Sequence, residues 1–164
     1  MRLTSTADLS ASPDAVYAVL VDQAFQEAKC AATSSGEYAA TATPQAQGAT
    51  VTTRRHLPTD TLPDAVRGLV GKELTIHETL RWGASGPDGA RSAAVELRVD
   101  GVPVTMHGTV TLTPAGAGGT RHAFEGDLTA KIPFFGGKVE QSASGPIQSA
   151  IEVELDLLRE RLGG

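Results

Sequence analysis

The sequence contains little cysteine and few aromatic residues. It has one Cys, one Trp, two Tyr and four Phe among 164 residues. The single Cys30 excludes an internal disulfide. The first residues also lack the basic stretch followed by an apolar stretch that is typical of a secretion signal. Both observations favour a reducing, cytoplasmic setting. No apolar run approaches the roughly 20 residues that a membrane-spanning helix needs, so no membrane span is expected.

Positive charge is also scarce. Fourteen Lys and Arg residues oppose nineteen Asp and Glu residues, for a net charge of -5. Nucleic acids and anionic membranes bind basic surfaces, so this balance argues against both as partners. The length fits a single domain over residues 1–164 that acts as a monomer or homodimer, and a small molecule is the partner left open.

Motifs for nucleotide binding and nucleophilic catalysis are missing. The Gly-Gly-Lys at 136–138 lacks the spacing of a phosphate-binding loop and is followed by Val139. We expect Gly136-Gly137 to form the turn from the last strand into the final helix, with φ values that other residues resist. No G-x-S-x-G occurs, and Cys30 lies in a short amphipathic segment where a lone cysteine behaves as a small core residue. We therefore predict no catalytic residues and no cofactor.

The histidines do not form a metal-binding pattern. His56, His77, His107 and His122 show neither helical i, i+4 spacing nor tight Cys/His spacing. No metal is expected, and most of these rings should face solvent or form hydrogen bonds. His122 differs because it shares strand parity with Phe124 and Leu128, which would make it a polar contact inside a cavity.

Hydrophobic periodicity predicts mostly β-structure. A period of two in Val-, Thr- and Leu-rich stretches, separated by Gly, Pro and Asp turn signals, predicts seven antiparallel strands. They cover residues 2–9, 37–43, 50–57, 73–82, 91–99, 104–113 and 120–132.

Helical signals occupy three places in the chain. Ser12-Pro13 and Asp22 are N-terminal signals for two successive short helices after the first strand. The connection 58–72 carries a further helical pattern that ends at Gly71 and could form a flap. From about Phe135 an apolar stripe predicts a long final helix. Gly145-Pro146 should kink or break this helix, with a second helical segment starting at Pro146.

The element order and several segments resemble the START-like superfamily, the helix-grip fold that includes polyketide cyclases. SPDAVYAVLVDQAFQEAKC and KIPFFGGKVEQ carry this resemblance. RRHLPTDTLPDAVRGLVGKELT and GTRH are similar to an uncharacterised actinobacterial domain family. The resemblance implies an α+β fold in which a curved antiparallel sheet wraps around the C-terminal helix, with an apolar cavity between them for a lipid, polyketide or similar molecule.

Two opposite charges fall on strand faces that are otherwise apolar. Arg55 shares parity with Val51 and Leu57, and Glu78 shares parity with Leu80 on the next strand. Because an unpaired buried charge is costly, either the two pair with each other or they hold a polar group of a ligand. The alternative is that one or both lie in water near a strand end.

The remaining candidate ligand-binding residues are those that parity and the helical stripe place toward the cavity. With Arg55 and Glu78 they are Leu80, Trp82, Val95, Leu97, Met106, Val110, His122, Phe124, Leu128, Val139 and Ile147.

Three functions follow from these expectations. The first is binding of a small, mostly apolar molecule, admitted near the flap at 62–71. The second is a non-catalytic protein-interaction domain with a packed interior. The third is a cyclase- or aromatase-type enzyme in which Arg55 polarises a carbonyl and Glu78 removes a proton.

Overall fold

The computed structural model describes residues 1–60 and 62–163. The elements in chain order are β1 (Arg2–Leu9), α1 (Pro13–Leu20), α2 (Gln23–Thr33), β2 (Tyr38–Pro44), β3 (Ala49–Pro58), α3 (Asp64–Val70), β4 (Glu73–Trp82), β5 (Arg91–Val99), β6 (Val104–Ala115), a 3-10 turn (Gly116–Gly118), β7 (Gly119–Ala130) and α4 (Gly136–Leu162). Thr61, within the connection interpreted as a flap, and Gly164, at the end of the predicted domain, lie outside the described residues.

The seven strands form one antiparallel sheet in the order β1-β7-β6-β5-β4-β3-β2. Alternation fixes its inner face: in β5, Ala93, Val95 and Leu97 are buried, while the residues between them are exposed. The inner face packs against α4, so the predicted α+β helix-grip fold is confirmed.

A glycine pair lies in the middle of the sheet. Gly108 of β6 is directly opposite Gly126 of β7. A Cβ added at Gly108 would lie 2.2 Å from the carbonyl oxygen of Glu125, and one at Gly126 would lie 2.8 Å from the Phe124 ring. Glycine at such a pair allows the two backbones to approach closely, which suits a sheet that curves around a helix.

The two short helices begin at the predicted caps. The Ser12 hydroxyl accepts a hydrogen bond from the Ala15 N–H at 3.2 Å, and the Asp22 carboxylate accepts one from the Phe25 N–H at 3.1 Å. Both helices pack against α4. Helix α2 lies beside the C-terminal half of α4, where Lys29 contacts Glu154 and the capping Asp22 contacts Arg161.

Helix α4 is continuous from Gly136 to Leu162, so the predicted second segment beginning at Pro146 is wrong. Proline removes one backbone donor to the carbonyl of Ser142, but the turns on both sides keep their hydrogen bonds. Val139 before the proline and Leu158 after it are both buried, so packing holds the two halves in one helix. Among the helices described, none is both long and apolar enough to cross a membrane.

The turn from β7 into α4 also differs from the sequence-based expectation. We expected Gly136-Gly137 to adopt backbone angles that other residues resist, yet both belong to the first turn of α4 and the positive φ of 64° is at Phe134. Gly136 is needed for space: a Cβ there would lie 2.4 Å from the carbonyl oxygen of Ala130.

Candidate functional site

A buried cluster of four charged side chains joins the sheet to two helices. The two strand residues, Arg55 of β3 and Glu78 of β4, lie 2.9 Å apart from Nη2 to Oε2. They meet diagonally, because Glu78 pairs with Thr53 across the strands while Arg55 pairs with Ile76. Of the alternatives left open by the sequence, the structure therefore gives the paired one.

The helices supply the other two charges, Lys29 from α2 and Glu154 from α4. Lys29 Nζ lies 2.9 Å from Glu78 Oε1 and 2.5 Å from Glu154 Oε2. The Arg55 Nη1 donates to the Thr33 hydroxyl at 3.0 Å. Two cations and two anions are thus held together away from water, and their formal charges cancel.

Sequence reasoning missed Lys29 and Glu154 as members of this cluster. A signal was present: Lys29 lies one turn after buried Phe25, and Glu154 lies one turn before buried Leu158, so each charge falls on the apolar face of its helix. Such a position calls for a buried partner, although the pattern does not say which one.

The cluster fixes the ionisation of its members. Burial alone would raise the pKa of Glu78, but the neighbouring Lys29 and Arg55 outweigh it and lower the pKa from 4.5 to about 2. Burial alone would lower the pKa of Lys29, but Glu154 and Glu78 outweigh it and raise that pKa. Glu78 is therefore a firmly held carboxylate and a poor proton acceptor at neutral pH.

Cys30, next to Lys29, behaves as a core residue. Its thiol is fully buried, and burial raises its pKa. This leaves the neutral thiol at physiological pH, as expected from the sequence.

The first cavity lies between the sheet and α4, with the charged cluster in its wall. Its volume is about 230 Å³. The other walls are apolar side chains of the five neighbouring strands β3 to β7 together with one face of α4. These are Leu57, Ile76, Leu80, Val95, Leu97, Met106, Val110, Phe124, Pro146, Ile147, Ala150, Ile151 and Val153.

A second cavity, also about 230 Å³, lies beneath α3, and all of its lining residues in the described part of the chain are apolar. Val66 and Val70 of α3 cover it, and Val139 and Ala143 of α4 form another wall. The two cavities are neighbours, because five residues line both: Leu57, Ile76, Leu97, Pro146 and Ile147.

Most of the candidate ligand-binding residues line these cavities, and two do not. Arg55, Glu78, Leu80, Val95, Leu97, Met106, Val110, Phe124 and Ile147 line the first cavity; Leu97, Leu128, Val139 and Ile147 line the second. Trp82 instead packs edge-on against Tyr17, with ring centroids 5.5 Å apart. It lies at the end of β4 away from α3, where α1 covers it.

His122 is in the core but is not a cavity-lining residue, which corrects its predicted role. Its side chain is fully buried, and neither ring nitrogen has a hydrogen-bond partner in the part of the chain that the structure describes. Burial lowers its pKa, with nearby Glu154 opposing the effect.

The other histidines have separate surface environments. His56 Nδ1 lies 2.9 Å from Glu73, His77 Nε2 lies 2.8 Å from Asp100, and His107 is exposed. Over residues 1–60 and 62–163, no group of three or more His, Cys, Asp or Glu side chains is arranged to hold a metal ion.

Comparison with known proteins places this geometry in context. The family model described as Protein of unknown function (DUF2505) matches residues 4–162. Uncharacterized protein Rv0481c of Mycobacterium tuberculosis is 27% identical over 105 residues, which cover 63% of this chain and 60% of that protein. The match thus spans less than two thirds of the relative's length.

Solved structures share the fold at low sequence identity. The Zhui aromatase/cyclase from Streptomyces sp. R1128 aligns with a TM-score of 0.63 and 13% identity, over 98% of this chain and 92% of that one. A START superfamily protein from Mycobacterium smegmatis aligns with a TM-score of 0.56 and 14% identity, over 98% and 95%. The START-like resemblance of the sequence is therefore confirmed as a statement about the fold.

Proposed function

We propose, from the premise that this chain belongs to the DUF2505 family and has the START-like fold, that it binds a small, mostly apolar molecule between the sheet and α4. A lipid, a polyketide or a molecule of similar character fits this description. The observation that carries the proposal is a cavity with apolar walls and one charged end.

The charged end orients the ligand in this proposal. Arg55 and Glu78 are fixed by each other and by Lys29, so their positions are set before a ligand arrives. Preorganised polar groups in an apolar cavity select orientation at little entropic cost. The apolar walls supply most of the binding free energy through burial of ligand surface.

The entrance that we propose lies where lining residues are also exposed. Pro146 and Ser149 of α4 and Ala32 of α2 line the first cavity and are exposed. This opening between the two helices supports entry there, while α3 covers the second cavity and takes the role of the flap.

The two other functions receive less support. An interaction domain with a packed interior is disfavoured by two adjacent cavities in the core. A general-base role for Glu78 needs a raised pKa, whereas the Lys29 ammonium and the Arg55 guanidinium lower it to about 2 despite its burial. Binding without catalysis is therefore the function we prefer.

The test is binding of phenylnaphthylamine, an uncharged apolar dye whose fluorescence rises in apolar surroundings, together with native mass spectrometry of freshly purified protein. We expect saturable dye binding by the natural sequence. Ala150→Trp places a large side chain in the wall of the first cavity and should weaken dye binding by about tenfold or more, since lost cavity volume removes ligand contacts.

Gln148→Trp is the matched control, because Gln148 is exposed on the same helix and does not line the cavity. It should bind the dye like the natural sequence. Equal dye affinity in the two tryptophan variants would refute the site. Absence of saturable dye binding and of any co-purified mass would refute the function.

A further inference from the structure

The two carboxylate side chains in the wall of the first cavity are more exposed than the two cationic side chains beside them. Side-chain exposure is 12% for Glu78 and 11% for Glu154, against 5% for Lys29 and 6% for Arg55. A ligand in the cavity therefore meets hydrogen-bond acceptors first. The complementary group on the ligand is a donor.

Glu154 has the most available acceptor of the cluster. Among the described residues its carboxylate is held through Oε2 alone, by Lys29 Nζ at 2.5 Å. Glu78 by contrast uses both oxygens, one for Lys29 and one for Arg55. Glu154 lines the first cavity, and its Oε1 is the carboxylate oxygen left to accept a hydrogen bond from a ligand.

Charge balance excludes ionised ligand groups. Lys29 and Arg55 are matched by Glu78 and Glu154, so the buried cluster is formally neutral. A ligand carboxylate would add an unmatched negative charge beside the carboxylates of Glu78 and Glu154, and a ligand ammonium would add an unmatched positive one. Either costs free energy in a site shielded from water.

We propose, resting on the ligand-binding function above, that the cavity selects an uncharged amphiphile whose hydroxyl group, an alcohol or a phenol, donates to Glu154. The apolar part of the ligand extends along the walls toward the second cavity, whose lining residues within 1–60 and 62–163 are all apolar. The site therefore discriminates against fatty acids and alkylamines of the same chain length.

The experiment is displacement of bound phenylnaphthylamine by three probes of equal chain length: decanol, decanoic acid and decylamine. Near pH 7.5, where the acid is ionised and the amine is protonated, we expect decanol to displace the dye at concentrations about tenfold or more below the other two. Lowering the pH to about 4 neutralises much of the acid and should strengthen its binding, while decanol binding should change little.

Glu154→Gln tests the charge argument directly, since it leaves one carboxylate against two cations. We expect the preference for decanol over decanoic acid to shrink by about tenfold or more in this variant. Should the variant not fold, the pH series on the natural sequence tests the same charge argument without a substitution.

The outcomes separate the two proposals. Decanoic acid or decylamine matching decanol near pH 7.5, with the dye bound and displaced, would overturn the hydroxyl assignment and leave the binding function standing. Failure of the dye and of all three probes to bind would overturn both.

Discussion

Replacing Glu78 by glutamine removes one charge from the buried cluster and leaves Lys29 and Arg55 facing Glu154 alone. The pKa of Glu78 falls from 4.5 to about 2 in the folded protein. At about 1.4 kcal/mol for each pKa unit, the folded environment favours its charged form by about 3 kcal/mol. Breaking a buried ion pair costs about 3 to 5 kcal/mol, which agrees with this figure.

The expected result is a loss of about 3 kcal/mol in the free energy of unfolding of Glu78→Gln. Urea denaturation measures this loss, with fluorescence of the single, buried Trp82 as the signal. Since domains of this kind have about 5 to 15 kcal/mol of stability, the variant should still fold.

Glu96→Gln is the control for the loss of one negative charge. Glu96 pairs with Arg81 at 3.2 Å on the sheet surface, and both side chains are about half exposed. Exposed pairs contribute less than about 1 kcal/mol. If the free energies of unfolding of Glu78→Gln and Glu96→Gln differ by less than about 1 kcal/mol, the buried cluster does not stabilise the fold.

The pH dependence of stability gives a second test of the same substitution. Because the folded-state pKa of Glu78 is lowered, its contribution is fully present above 4.5 and is lost as the pH falls toward about 2. The stability advantage over Glu78→Gln should shrink over this window. An advantage that stays constant through it would contradict the assigned pKa.

Two further predictions concern single positions. His122 is buried with a lowered pKa, so the unfolded protein binds a proton at this residue more readily than the folded protein, and stability should fall as the pH drops below about 6.5. His122→Leu should reduce this pH dependence of the melting temperature, whereas His107→Leu at an exposed position should not. Equal pH dependence of the melting temperature in the two variants would contradict the assignment. Pro146→Ala returns an N–H to the carbonyl of Ser142 and should raise the free energy of unfolding by up to about 3 kcal/mol. Gln148→Ala, at an exposed position of the same helix, should change the free energy of unfolding little. An unchanged free energy of unfolding in Pro146→Ala would show that the proline carries no cost in this helix.

Local patterns were enough to predict the elements. The strand predicted over 37–43 is observed as Tyr38–Pro44, and the one predicted over 120–132 as Gly119–Ala130. Alternation and cap residues act over a few neighbours, so they can be read without the fold. The break predicted at Gly145-Pro146 was wrong because α4 is held together by packing against residues far away in the sequence, and a local pattern does not show these partners.

Parity also anticipated half of the site. Arg55 and Glu78 lie on neighbouring strands, and facing inward from the same part of the sheet brought them within reach of each other. Trp82 and His122 had the right parity as well, but parity gives a face of the sheet and not a position along it. Neither is among the residues that line the two cavities: Trp82 packs against Tyr17 of α1, and His122 is fully buried in the core.

The amino-acid sequence by itself determined the strands, the helix caps, the inward faces of the sheet and the core position of Cys30. Only the tertiary structure decided that Lys29 and Glu154, from helices far apart in the chain, form ion pairs in the same cluster as Arg55 and Glu78. Together these four residues form the charged part of the wall of the first cavity. The physical reason is that helical periodicity turns a charge toward the core, whereas the partner it meets there depends on how two helices and a curved sheet pack together.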